Sequence, residues 1–185
     1  MSDLVEPKGD DSVRVRSSRF EKSPFLRFHT SPGARFGVYA NRLFPLRGSS
    51  EQEYWCLRKQ SVLYDVPEKP IQIEGPESIA FLERVFSRPV ADLREGRGRY
   101  AIACTDAGGV FMDGILFRLS AEKFWYVQAD GDMETWLLAH SVGLDVEISD
   151  PRSWVLQVQG PKSLQVMDAA SGGAVNQAMG YFHSG

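Results

Sequence analysis

Residues 71–87 read IQIEGPESIAFLERVFS, and this stretch decides the fold. Ile71 and Ile73 alternate with polar residues, which predicts a half-buried strand. Gly75 is typical of a turn, and Pro76 suits the first position of a helix because that position needs no backbone N–H donor. Apolar residues then recur at helical spacing. The sequence therefore predicts a strand, a Gly-Pro elbow and a helix.

The same pattern returns 85 positions later, where residues 155–170 read VLQVQGPKSLQVMDAA. Four matching pairs carry the repeat: Gln72 and Gln157, Gly75 and Gly160, Pro76 and Pro161, and Ser78 and Ser163. An internal repeat of this kind indicates two related strand-elbow-helix units. A turn that recurs without common ancestry would give the same pattern, so the residues alone leave both explanations open.

Three further strands are predicted between the two units, over residues 99–105, 114–120 and 124–129. Each segment is apolar or alternating, as strands of a half-buried sheet are. Two glycines between the first and second segments permit the positive φ that a tight hairpin turn needs.

Helices are predicted on both sides of these strands. Ser50 and Glu53 form an S-x-x-E capping box, which satisfies two backbone amides at a helix start. Another helix is expected to begin near residues 130–132, and a short strand is expected at 146–148. This order predicts an α+β fold in which a mainly antiparallel sheet carries helices on one face.

The bulk composition argues against several classes of protein. The 185 residues carry a net charge of −3, whereas nucleic acids and anionic membranes attract basic surfaces. No apolar stretch approaches the ~20 residues that span a bilayer, and the polar N-terminus is unlike a signal peptide. Cys56 and Cys104 form no C-x-x-C motif, which favours two buried, reduced thiols. We therefore expect a cytoplasmic protein without a metal site.

The N-terminal part is expected to be the least regular. Residues 1–22 are charged and poor in large apolar groups, so they are predicted to form a flexible tail. Residues 23–48 are rich in Pro, Gly, Arg and aromatic side chains, which indicates an ordered but irregular segment. Its arginines, Arg27, Arg35 and Arg42, are expected to be solvated, with an acidic ligand as the alternative partner.

One hairpin motif holds the candidate for a chemical residue. Residues 100–113 follow the pattern Y-x4-T-x2-GG-x3-D and end in Asp113. On the residues alone, an Asp-Gly dipeptide is typical of a turn. Tyr100 could stack on a flat ligand or pack within the sheet. Trp125 and Tyr126 are neighbours on a strand, so one of them must face inward and the other outward.

Four segments resemble the N-terminal half of the glycine-cleavage T-protein superfamily in their order and spacing: residues 54–66, 73–78, 100–113 and 158–163. The likeness runs from residue 23 to residue 181 and implies a folate-binding domain, truncated before the rest of the family fold. Glu68 and Ala129 stand where aminomethyltransferases of the superfamily carry His and Asn. In this respect the chain is more similar to the folate-dependent demethylase branch.

The resemblance also implies a function and a set of site residues. Members of the superfamily use tetrahydrofolate, and the implied reaction removes a one-carbon group from an N-, S- or O-methylated small molecule. The implied catalytic residue is Asp113, and the implied cofactor contacts are Tyr100, Gly109, Tyr126 and Gln128. The alternative is a non-catalytic folate-binding or scaffolding module, or a fragment that is inactive alone.

Overall fold

A computed structural model describes residues 15–30, 32, 34–46, 50–175 and 180–184. Two short 3-10 helices, Ser17–Arg19 and Leu26–Phe28, precede the regular elements. Those elements, in chain order, are β1 (Phe36–Tyr39), β2 (Arg42–Pro45), α1 (Glu51–Lys59), β3 (Val62–Val66), β4 (Lys69–Glu74), α2 (Ser78–Val85), β5 (Arg97–Cys104), β6 (Val110–Arg118), β7 (Lys123–Gln128), α3 (Met133–His140), β8 (Glu147–Ser149), β9 (Val155–Gln159) and α4 (Ser163–Ala170).

The main sheet has five strands in the order β5-β6-β7-β4-β8, and every neighbouring pair is antiparallel. One of its faces carries the core, because side chains alternate between the two faces along each strand. Phe81 and Leu82 of α2 and Met133 and Leu137 of α3 are fully buried in that core. The predicted α+β fold, with an antiparallel sheet and helices on one face, is confirmed.

Helix α1 begins where the capping box predicts. The Glu53 backbone N–H donates to the Ser50 hydroxyl at 3.2 Å, and the Ser50 backbone N–H donates to the Glu53 carboxylate. The segment after α1, for which no strand is predicted from the sequence, forms β3, which pairs with β9 in a separate two-stranded sheet. Its strand partner lies about ninety positions away, so no local pattern could reveal the pairing.

The repeat is confirmed in the geometry of its two elbows. Gly75 has φ of 144° and Gly160 has φ of 129°, a region that favours glycine. A Cβ atom on Gly75 would lie 2.4 Å from the Asp145 carbonyl oxygen. A Cβ atom on Gly160 would lie 2.5 Å from the Gln60 carbonyl oxygen. Gln60 and Asp145 are themselves 85 positions apart, so the repeat is longer than its sequence signal.

The two units can therefore be defined as α1-β3-β4-α2, residues 51–85, and α3-β8-β9-α4, residues 133–170. They are interlocked. Strand β3 of the first unit pairs with β9 of the second, and β8 of the second unit pairs with β4 of the first. Each elbow glycine likewise packs against the other unit, which relates the two units by an approximate two-fold arrangement.

The segment expected to be irregular contains an antiparallel hairpin, β1-β2, so that prediction is wrong. Its two turn residues, Ala40 and Asn41, have positive φ of 47° and 61°. Two-residue hairpin turns of this kind usually contain glycine, and only Asn41 gives a weak signal here. The hairpin was missed because the alanine offers no local cue for such a turn.

Arg42 holds this hairpin on the body of the domain and is not solvated as expected. Its guanidinium is 1% exposed and donates to Glu21, to the Glu68 carbonyl and to the Ser153 carbonyl at 2.8–3.1 Å. It also stacks over the Trp154 ring at 4.1 Å. A buried guanidinium with its donors satisfied is a structural tie between segments.

Two smaller expectations have different outcomes. Of the predicted flexible tail, residues 1–14 lie outside the described residues, while Glu21 at its other end is ion-paired with Arg42 and Lys69. Cys56 and Cys104 are free, but both are only partly buried, against the expectation of two buried thiols.

Candidate functional site

Asp113 lies inside strand β6 and not in a turn, because β6 begins at Val110, four residues earlier than predicted. The strand register places Asp113 opposite Ile102 and Tyr100 opposite Ile115. Paired residues share a face, so these four side chains lie on the same side of the sheet. The Tyr100 hydroxyl donates to the Asp113 carboxylate. The structure thus joins the predicted catalytic residue to one of the predicted cofactor contacts.

This side is opposite the core, and we call it the outer face of β5-β7. The core face of the same strands carries buried side chains, among them Ala101, Met112 and Leu116. The outer face is half-exposed, and Tyr100 is 41% exposed. Its members on β5, β6 and β7 are Tyr100, Ile102, Asp113, Ile115, Phe117, Trp125 and Val127. An acidic group and a phenol therefore lie within an accessible apolar surface.

Tyr126, a predicted cofactor contact, is in the core. Its side chain is fully buried, and its hydroxyl donates to the Ala101 carbonyl at 3.3 Å. Trp125 is the outward member of the pair and donates to Gln72 at 3.0 Å. Burial raises the pKa of Tyr126, and the charge of Asp113 raises it further. Tyr126 can therefore support the sheet beneath Asp113 but cannot touch a ligand on the outer face.

Gly114 lets Tyr126 take this position beneath the site. A Cβ atom on Gly114 would lie 2.4 Å from the Val127 carbonyl oxygen and 2.9 Å from the Tyr126 hydroxyl. Any larger residue would displace the strand that carries Asp113. The Asp-Gly dipeptide is thus explained by close packing inside a strand, and not by a turn.

The other two predicted contacts, Gln128 and Gly109, are not members of the outer face. Gln128 is buried, with its amide donating to the Gly131 carbonyl and accepting from the Met133 N–H, at 3.1 and 3.0 Å. These bonds fix the start of α3 and leave the amide engaged. Gly109 lies in the exposed β5-β6 turn, where its carbonyl accepts from the Thr105 N–H at 2.8 Å.

Sequence reasoning missed a second group of residues near Asp113. Burial raises the pKa of Tyr39, and the negative charges of Glu68, Asp130 and Asp113 raise it further, against a hydrogen bond from the Asp130 backbone. The Asp130 carboxylate accepts from the Ala40 N–H at 2.7 Å and so ties the β1-β2 turn to the loop after β7. The missed hairpin therefore brings the Tyr39 phenol close to the carboxylates of Glu68 and Asp130.

An open depression of about 520 Å³ adjoins this group. It is lined by Val38, Ala40, Asn41, Lys69, Gln128, Asp130, Gly131, Asp132 and Glu134. Lys69 is engaged there with three carboxylates, those of Glu21, Asp150 and Glu134, at 3.1–3.5 Å. Over the described ranges, no three His, Cys, Asp or Glu side chains are grouped to hold a metal ion.

Comparison with known proteins decides the family. The family model for the GCVT N-terminal domain matches residues 26–185. The chain belongs to this family. The resemblance found in four short segments thus extends over most of the sequence, and the N-terminal half suggested by those segments is confirmed.

Relatives of this GCVT N-terminal domain include two kinds of enzyme. An aminomethyltransferase of Corynebacterium aurimucosum is 31% identical over 152 residues, which cover 78% of this chain and 41% of that protein. The dimethylsulfoniopropionate demethylase DmdA of Ruegeria pomeroyi is 29% identical over 164 residues, which cover 86% of this chain and 45% of that protein.

A solved structure agrees with the fold. Glycine cleavage system aminomethyltransferase T from Bartonella henselae superposes with a TM-score of 0.76 at 25% identity, over 89% of this chain and 46% of that one. The GCVT N-terminal domain described here spans less than half the length of all three proteins. No described helix is long and apolar enough to cross a bilayer.

Ala129 and Glu68, the two departures that the sequence resemblance pointed out, lie beside Asp113 and Tyr39 respectively. The Ala129 N–H donates to the Asp113 carbonyl at 3.4 Å, so the residue in place of Asn adjoins the candidate residue. Glu68 contributes to the environment of Tyr39, and its buried Oε2 atom has no hydrogen-bond partner among the described residues. Both positions therefore belong to the surroundings of the candidate site.

Proposed function

We propose that this domain supplies the carboxylate wall of a tetrahydrofolate site in a protein that transfers a one-carbon group to tetrahydrofolate. The observation that carries the proposal is the Tyr100–Asp113 hydrogen bond on the accessible outer face of β5-β7. Membership of the GCVT N-terminal domain family and kinship with aminomethyltransferases and a demethylase support it. The proposal includes a cytoplasmic protein and a methylated small molecule as the donor.

The residues present fit a flat, weakly polar ligand. Ile102, Ile115 and Val127 form an apolar surface without a formal charge, against which a ring system can pack. Tyr100 adds an aromatic ring at its edge, and Asp113 adds one hydrogen-bond acceptor with a negative charge. An apolar surface with a single carboxylate favours a ligand that gains positive charge near that carboxylate.

Tetrahydrofolate, when bound, supplies a nitrogen nucleophile that accepts the one-carbon group. Asp113 stabilises the positive charge that develops beside it, and a ligand that covers the apolar face strengthens this interaction by excluding water. Tyr100 orients the carboxylate through its hydroxyl. The hydrogen bond to Asp113 raises the pKa of Tyr100, so this phenol remains a proton donor at neutral pH.

Replacement of Asp113 by Asn in the complete protein tests the catalytic role. The amide keeps the size of the side chain but removes its charge, so turnover is expected to fall by about 100-fold or more. Asp106→Asn, in the exposed turn of the same hairpin, is the matched control and should leave turnover unchanged. If Asp113→Asn turns over as fast as Asp106→Asn, Asp113 has no catalytic role.

A second candidate function is a non-catalytic folate-binding module. It rests on the same accessible apolar face, which can bind a flat ligand without any chemical step. Tetrahydrofolate titrated into the 185-residue chain separates the two. Tight binding without transfer from any methylated donor supports the binding module, whereas transfer of a methyl group excludes it.

A further inference from the structure

The outer face of β5-β7 continues beyond Asp113 between two aromatic side chains, Phe117 and Trp125. These two residues lie directly opposite each other on β6 and β7. The Phe117 ring leans towards β5, since a Cβ atom on Gly98 of that strand would lie only 2.7 Å from it. The Trp125 indole leans the other way, towards β4, where it donates to Gln72 at 3.0 Å. The two rings therefore diverge, and we call the strip between them the aromatic groove.

The aromatic groove is continuous with the candidate site. Ile115 and Val127 lie opposite each other on the same face, between the two aromatic residues and Asp113. They carry the apolar surface from the carboxylate to the groove. At the far end, Lys123 and Glu74 lie opposite each other and form an ion pair at 3.2 Å. The groove thus has a carboxylate at one end, a neutral ion pair at the other, and apolar side chains between them.

The Trp125 indole is held in one orientation within this groove. Gln72 accepts from the indole N–H through its amide oxygen and donates to Glu74 through its amide nitrogen, at 3.0 and 2.9 Å. Because the only polar group of the indole is engaged in this way, the side chain offers a ligand its ring and not a hydrogen-bond donor. A wall that is already ordered loses little conformational entropy when a ligand packs against it.

We infer that the aromatic groove binds the second ring of tetrahydrofolate, its aminobenzoyl group, and that Trp125 is the residue that selects for this ring. The inference rests on the proposed function, under which the reacting nitrogens of the ligand lie at Asp113. Phe117 is four residues beyond Asp113 on β6, which is about 13 Å along the strand. A ligand that extends from Asp113 along β6 and β7 therefore brings its second ring towards the two aromatic side chains.

The chemistry of the groove fits this part of the ligand. The aminobenzoyl ring is flat, aromatic and uncharged, and aromatic walls favour such a ring through offset-stacked or edge-to-face contacts. A charged group in the same place would lose hydration without gaining a partner. The groove therefore favours a two-ring folate over a bare reduced pterin, which ends before it reaches the aromatic walls.

The dissociation constants of two ligands for the 185-residue chain test the inference. The ligands are tetrahydrofolate and methyltetrahydropterin, which has the reduced pterin but no aminobenzoyl group. Tetrahydrofolate is expected to bind at least about tenfold more tightly. Trp125→Ala should weaken tetrahydrofolate binding by about tenfold and change pterin binding by less than about twofold. A variant that keeps the preference for tetrahydrofolate, or that loses affinity for both ligands equally, overturns the inference.

Two further variants separate the ring from other effects of the substitution. Trp55→Ala, at a tryptophan of α1 that is 46% exposed, is the matched control and should leave both constants unchanged. Trp125→Phe keeps an aromatic wall without the hydrogen bond to Gln72, so it should retain most of the preference. Circular dichroism shows whether each variant is folded. If Trp125→Phe loses the preference as fully as Trp125→Ala does, the ring is not the selecting group and the inference is wrong.

Gly98→Ala tests the aromatic groove from its other wall. The added methyl group would lie 2.7 Å from the Phe117 ring, which must turn away from β5 and narrow the groove. Tetrahydrofolate should then bind about fivefold more weakly, whereas methyltetrahydropterin should bind as it does to the parent chain. Unchanged affinity for tetrahydrofolate in this variant contradicts a ring bound between Phe117 and Trp125.

Failure of the inference and failure of the proposed function give different results. If neither ligand binds the parent chain, the proposed function fails and the inference fails with it. If both ligands bind the parent chain with equal affinity, the aromatic groove makes no contact with the ligand, and only the inference is overturned. Asp113→Asn should weaken both ligands, in contrast to Trp125→Ala, which should weaken one.

Discussion

The two units of this domain are built alike but differ in how deeply their strands and helices are buried. Each has a glycine elbow with φ near 130–145° that abuts the carbonyl of the other unit. The strand and helix of the first unit lie in the core, and those of the second present their equivalent positions to the surface. The difference teaches that the same elbow forms in both units, whereas burial depends on which strands surround each unit.

The largest expected effect is a difference in stability between variants at equivalent positions of α2 and α4. Phe81→Ala removes a fully buried ring and should reduce the free energy of unfolding by about 3–5 kcal/mol. Val166→Ala, 85 positions later, should reduce it by less than about 1 kcal/mol because the side chain is half-exposed. Urea unfolding at low protein concentration measures both. Similar losses of stability at the two positions would contradict the difference in burial between the two units.

Alanine substitutions at the two elbow glycines should destabilise the domain equally, unlike the substitutions in the two helices. Gly75→Ala and Gly160→Ala each put a Cβ atom about 2.5 Å from a carbonyl oxygen at a strained φ. We expect each to reduce the free energy of unfolding by about 2 kcal/mol or more. Gly108→Ala is the control, because it has positive φ but no atom within 4 Å of its added methyl group. Gly108→Ala should reduce the free energy of unfolding by less than either elbow variant does.

A smaller, pH-dependent effect is expected where the units meet, at the Lys69–Asp150 ion pair. Burial alone would raise the pKa of Asp150, but hydrogen bonds from the Arg152 backbone and from Lys69 outweigh it and lower the pKa. This stabilisation is present above the carboxyl pKa of about 3.9 in the unfolded chain, and is lost as the pH falls through the lower folded value.

Asp150→Asn should therefore reduce the free energy of unfolding by about 1 kcal/mol or less at neutral pH. The difference from the parent protein should shrink as the pH falls below about 4. Thermal unfolding over a pH series measures it, with Asp106→Asn as the exposed control. A constant difference at all pH values would show that the ion pair is not responsible.

Sequence patterns could predict the elements that rest on local signals. The capping box, the elbows and the three-strand meander β5-β7 all have such signals, and all three are present in the structure. The pairing of β3 with β9 and the turn at Ala40 have none, so both were missed. The first needs a partner far away in the chain, and the second depends on contacts with Asp130.

The site was predictable only in part for the same reason. The motif singled out Asp113 and Tyr100, but their shared face follows from the register of β5 and β6, which the sequence did not predict. Tyr126 and Trp125 could not be assigned to a face before the register was known, and Tyr126 proved to be buried. Tyr39 reaches the site through the unpredicted hairpin, so no motif included it.

The central claim, that the outer face around Asp113 receives tetrahydrofolate, is tested most directly by nuclear magnetic resonance. Tetrahydrofolate is titrated into the isotope-labelled chain and into its Asp113→Asn variant, a method that detects even millimolar affinity. We predict that the backbone resonances of Tyr100, Ile102, Asp113 and Ile115 shift in the parent chain and shift less in the variant. Shifts confined to other surfaces, or identical shifts in both proteins, would contradict the claim.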